Sequence, residues 1–61
     1  MDIVEIKKKI LDLLLPPDAN YSAPQLVKIL SVDKNKVVKA LTELKDQGLV
    51  VYVGGHKWRR K

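Results

Sequence analysis

SVDKNKVVKALTELKDQGL, residues Ser31–Leu49, decides the fold of this 61-residue chain. At helical spacing Val37, Ala40, Leu41 and Leu44 fall at i, i+3, i+4 and i+7, an apolar stripe that faces a core. The other side carries Lys34, Asn35, Val38, Lys39, Thr42 and Lys45, which is mainly cationic and hydrogen-bonding. Asp33 is the expected N-cap: a carboxylate there can take an orphan backbone N–H and favours the positive helix end. Gly48 follows the last periodic residue and supplies the left-handed conformation that closes a helix. The stretch predicts a helix over about 34–47, roughly four turns, buried along one side and presenting lysines on the other.

Working toward the N-terminus, Ser22 and Gln25 have the spacing of a capping box, with Pro24 in the first turn, where its missing N–H costs nothing. A helix over about 23–30 follows, carrying Leu26, Val27, Ile29 and Leu30, and Ser31-Val32 turns into the central helix. Tyr21 is expected to lie in a short strand of one or two residues, after a turn-rich connector over Pro16–Asn20. Before it, Asp2 can cap a helix over about 3–15 that Pro16 and Pro17 end, because a residue preceding proline is pushed out of helical geometry. Ile3, Ile6, Ile10, Leu13 and Leu14 form its stripe. Val4, Leu11 and Leu15 make a second strip, wider than a one-sided helix needs, for core packing or for a homodimer contact.

Toward the C-terminus the period changes. Leu49–Val53 is β-branched and aromatic, Gly54-Gly55 reads as a two-residue hairpin turn, and His56–Arg60 returns. That turn pairs Val51 with Trp58 and Val50 with Arg59. It places Leu49, Val51, Val53 and Trp58 on an inner face and Tyr52, Lys57 and Arg59 on an outer one. Trp58 then reads as a core residue rather than a stacking platform.

The formal charge of +5 is unevenly spread: residues 1–21 carry −1, residues 22–48 carry +2, and residues 49–61 carry +4 with no acid. Such asymmetry suits a surface that meets a polyanion, although it equally describes a solvated basic face. One domain at most is expected, near the size at which a lone core barely outweighs chain entropy. The absence of cysteine removes disulfides and thiolate metal sites. A lone His56 with no companion ligands reads as a turn-flanking residue, not as a metal ligand or general base. No nucleophile and base pair, phosphate loop or acid cluster points to catalysis, so an enzyme is not expected, nor a cofactor. The acidic start and the short LDLLL run fit neither an export signal nor a membrane span, which leads to the expectation of a cytoplasmic or nuclear protein.

SAPQLVKILSVDKNKVVKALTELKDQGLV, residues 22–50, has the order of a helix-turn-helix: short helix, tight turn with Val32, capped second helix, closing glycine. Three helices followed by a β-hairpin resemble the winged-helix domain over nearly the whole chain. Within that superfamily, DKNKVVKALTELKDQGLVVY with Trp58 is similar to Z-DNA-binding alpha domains and to small MarR- and ArsR-type regulators. Lys34 and Trp58 match the Z-DNA readers, whereas Val38, Thr42 and Gly55-His56 replace their Asn, Tyr and paired prolines. The resemblance implies an α+β fold with a three-helix core and a two-stranded wing over about 49–60. It also implies duplex DNA binding by a transcriptional regulator or architectural factor. Lys34, Asn35, Val38, Lys39 and Thr42 would enter the major groove, with Lys57, Arg59, Arg60 and Lys61 on the backbone beside it or in the minor groove. The alternative is a winged helix used for protein contact in a replication or transcription assembly. A homodimer through helix 1 or the wing would suit a palindromic site.

Overall fold

Asp2 accepts a hydrogen bond from the Glu5 N–H at 2.9 Å and so caps the first helix, α1, Ile3–Leu13. The computed structural model describes residues 2–61. α1 stops two residues before the expected Leu15, and the cause is the proline pair. Pro16 has no N–H to return to the Asp12 carbonyl, which instead takes the Leu15 N–H at 3.3 Å in a tighter turn. Ile6, Ile10 and Leu14 are fully buried, and Ile3, Leu11 and Leu13 pack beside them. Val4 and Leu15, from the second strip, are 67% and 59% exposed.

β1, Asn20–Ser22, is a full three-residue strand around Tyr21. α2, Ala23–Leu30, begins with the complete Ser22–Gln25 capping box and ends at Ser31, whose φ of 55° is left-handed. α3, Lys34–Asp46, buries all four members of its stripe, Val37, Ala40, Leu41 and Leu44. Asp33 holds the N-cap position, but only its carbonyl bonds to the helix, taking the N–H groups of Lys36 and Val37 at 3.1 Å each. Its carboxylate makes no cap bond. It stays exposed, acting on the positive helix end as a charge alone. At the other end Gly48, at φ 75°, donates to the Lys45 carbonyl and Leu49 donates to the Leu44 carbonyl, both at 2.9 Å. These are the paired bonds of a Schellman motif.

β2, Val50–Tyr52, and β3, Lys57–Arg60, complete an antiparallel sheet in the order β1-β3-β2. The hairpin register differs by one residue from the expected one: Val50 pairs with Arg60, Val51 with Arg59 and Tyr52 with Trp58. The loop is three residues, Gly54-Gly55-His56. Lys57 donates to the Gly54 carbonyl at 3.1 Å, and the two central residues of that turn, Gly55 (φ 60°) and His56 (φ 62°), are both left-handed, as a primed turn requires. The shift exchanges the faces of β2. Val50, only 1% exposed, joins the core, and Tyr52 comes to Trp58's side, while Leu49, Val51 and Val53 turn to the outer face.

Directly opposed residues share a face, so Tyr21, Trp58 and Tyr52 form one cross-strand row containing all three aromatic residues of the chain. Trp58, half-buried at its centre, packs against the core and meets the Tyr52 ring edge to face, centroids 5.1 Å apart. The core joins α1, α2, α3 and β2 through nine buried residues. Three helices on a small antiparallel sheet make an α+β arrangement compatible with a winged helix. No helix among the described residues is long and apolar enough to cross a membrane.

Candidate nucleic-acid interface

The buried stripe of α3 fixes what its other side presents. Opposite that stripe stand Asn35, Lys39, Thr42 and, in the last turn, the acid Asp46; Lys34 and Val38 lie on the flank that also carries Lys45. Lys36 and Glu43 lie on the opposite flank, against α1. There Glu43 accepts from the Lys7 ammonium at 3.1 Å, in the one ion pair among the described residues. That pair ties α1 to α3 and withdraws an acid from the surface. Lys34, Lys36, Lys39 and Lys45 are all exposed and lie outside any ion pair among the described residues.

Two of the uncharged candidates carry more specific geometry. The Thr42 hydroxyl donates to the Val38 carbonyl at 2.9 Å, one turn back on its own helix. Its proton is engaged, so it meets a ligand as an acceptor rather than as the phosphate donor its position suggests. Val38 is 43% exposed, an apolar spot within a cationic surface.

The hairpin does not bring its cations together on one side. Lys57 and Arg59 pair with Ser22 and Asn20 and lie on the outer face of the sheet, whereas Arg60 pairs with Val50 and lies on the helix side. The tip between them is held by Tyr52. Its phenolic oxygen accepts the His56 main-chain N–H at 3.0 Å and lies 3.2 Å from His56 Nδ1. The left-handed His56 is thereby clamped, and Tyr52 has a positioning role that its sequence context does not reveal.

Lys45 lies outside the expected contact set, and Lys61 is the last cation of the basic C-terminal segment. Both line an open groove of about 450 Å³ with Gly48, Val50, Val51 and Tyr52, where the exposed flank of α3 runs into the hairpin. The signal for Lys45 was its place seven residues after Val38, on the same flank. No group of three or more His, Cys, Asp or Glu side chains placed to hold a metal occurs among the described residues. Comparison of the chain with family models, with curated proteins and with solved structures finds no match.

Proposed function

We propose that this chain is a winged-helix protein that binds duplex DNA. In this reading α3 enters the major groove with its N-terminal half, and the β2–β3 hairpin is the wing that lies along the backbone beside it. The observation that carries the reading is the state of the α3 lysines: exposed, outside ion pairs, and on a helix whose Glu43 is turned away to Lys7. Free ammonium groups on the exposed side of one helix gain affinity for a phosphate chain by releasing its counterions. Lys34 and Lys39 contact phosphates or base edges, Asn35 can read an adenine, and Val38 can meet a thymine methyl. Lys57, Arg59 and Arg60 supply backbone contacts that position rather than specify. The protein then acts as a regulator or architectural factor of transcription, not as a catalyst.

Fluorescence anisotropy with a labelled random duplex at two salt concentrations tests this directly. Binding that weakens steeply with salt, and that Lys34→Ala and Lys39→Ala reduce without lowering the melting temperature, is the expected result. No binding at low salt, or parental binding by both variants, overturns it. Should two copies bind a palindrome, α1 is the side on which they meet with least repulsion, since residues 1–21 carry −1 and Val4 and Leu15 are exposed there. Sedimentation equilibrium of Val4→Glu against the parent reads that contact.

A further inference from the structure

The core packs on the sheet face that carries Tyr21, Val50 and Trp58, and strand side chains of the opposite parity point away from it. On the hairpin that outer face is ordered in columns. Val51 stands directly opposite Arg59. Val53 donates to the Lys57 carbonyl at 3.0 Å and Lys61 donates to the Leu49 carbonyl at 3.1 Å, so Val53 with Lys57 and Leu49 with Lys61 are opposed pairs of the same ladder. Every pair sets one aliphatic side chain against one cation. Leu49 is 41% and Val53 45% exposed, Lys57, Arg59 and Lys61 are exposed as well, and residues 49–61 hold no acid. An aliphatic column and a cationic column thus lie side by side in solvent.

A partner for this face must bring apolar contact and negative charge in two parallel lines. A duplex backbone meets the cations and leaves Leu49, Val51 and Val53 against phosphate and water. Single-stranded nucleic acid stacks on aromatic platforms, and the aromatic residues of this chain stand in the inner row of Tyr21, Trp58 and Tyr52. An anionic bilayer has the right chemistry, but this face carries no aromatic anchor, and its long Lys and Arg side chains stand taller than the valines beside them. An amphipathic helix has both the chemistry and the shape. Its apolar stripe beds in the low aliphatic column, while carboxylates along one flank meet the cationic ridge. A second copy of this chain supplies no such helix, because Lys8 interrupts the exposed strip of α1 that holds Val4 and Leu15. We infer that the outer face of the β2–β3 hairpin docks an amphipathic helix of a partner protein, with acids along one side of its apolar stripe. From Leu49 to Val53 the column runs about 13 Å, which roughly nine residues of helix cover. This inference does not rest on the DNA reading. The two ligands share Lys57 and Arg59, but the aliphatic column has no part in the duplex contact.

The test uses the full chain, labelled with ¹⁵N, and a blocked synthetic helical peptide with a leucine stripe and glutamates along one flank. A control peptide of the same composition spreads both residue types around the helix. The striped peptide is expected to shift the amides of residues 49–53 and 57–61, and the control should bind about tenfold more weakly. Val51→Thr with Val53→Thr keeps the branched shape and strand preference while removing a methyl group at each position. This variant, checked for folding by circular dichroism, should weaken the striped peptide about tenfold and leave duplex binding as it is. Lys34→Ala with Lys39→Ala should do the reverse, so failure of one reading is visible apart from failure of the other. Arg59→Glu should lose the glutamate peptide and bind its lysine analogue. Equal affinity for the striped and control peptides would reduce the interaction to charge and overturn the inference. So would shifts confined to α3, no shift at millimolar peptide, or sedimentation with phosphatidylserine vesicles that the threonine variant abolishes, which would give the face to a membrane.

Discussion

Ser31 is held at φ 55°, a conformation in which a Cβ crowds the following carbonyl, because α2 must end there for Val32 to turn into α3. Its N–H still closes the helix on the Val27 carbonyl at 2.9 Å, so the geometry suits a glycine and the residue is not one. Ser31→Gly removes the steric cost and loses part of the gain to a freer unfolded chain, for a net stabilisation of about 0.5 kcal/mol. An upward shift in the urea midpoint at unchanged slope reads it. This cap is not legible in the sequence, since serine carries no signal for positive φ, whereas Gly48 does and marks the end of α3. Lys34 gives a prediction of mixed sign. It sits at the positive end of α3, where no side chain caps the helix and no acid lies in the first turn. Lys34→Glu should raise stability by about 0.3–1 kcal/mol through the helix dipole and at the same time weaken duplex binding. Opposite movement of the thermal midpoint and of the anisotropy isotherm is the expected pair. Loss of both would place Lys34 in the fold rather than on the proposed binding surface.

At the scale of elements the helices were readable because their apolar periods are unambiguous and their ends carry Asp2, Ser22, Pro16 and Gly48. β2 was not. Leu49–Val53 is apolar at every position, so alternation assigns no face, and the glycine pair invites a two-residue loop. Burial decides instead: only the three-residue loop brings Val50 into the core and Tyr52 beside Trp58. β1 outgrew its expected one or two residues for a related reason, since β3 offers it three partners through Lys57, Trp58 and Arg59. The register makes a measurable claim. In the observed pairing Tyr52 and Trp58 share a face with ring centroids 5.1 Å apart; in the two-residue alternative they would stand on opposite faces and not touch. A double-mutant cycle of Tyr52→Ala and Trp58→Ala should give a coupling of about 0.5–1.5 kcal/mol, whereas the alternative register gives none. The same clamp places the hairpin tip, so Tyr52→Phe, which keeps the ring and removes the acceptor for His56 N–H, separates the hydrogen bonds from the stacking.

For the whole molecule, charge class was legible and charge placement was not. The sequence locates the net positive charge in the last two-thirds of the chain, but adjacent residues of a strand face opposite sides. Arg59 and Arg60, neighbours in sequence, therefore point to the outer and helix sides of the sheet. Five of the cations expected at the duplex, Lys34, Lys39, Lys57, Arg59 and Arg60, are exposed, and this sets the size of the salt effect. If all five displace counterions, log K falls with log salt at a slope of about −4.5, or about 500-fold between 50 and 200 mM. The division of the hairpin lowers that figure. A rigid duplex lying along the outer sheet face reaches Lys57 and Arg59 but not Arg60; one held on the helix side reaches Arg60 with Lys34 and Lys39. Either docking alone leaves two or three contacts and a slope of about −1.8 to −2.7. Arg60→Ala and Arg59→Ala then report which side the duplex occupies. The variant on the contacting side lowers the slope by about 0.9, and the other leaves it unchanged. A slope that neither substitution alters would place the contact on α3 alone and remove the hairpin from the binding surface.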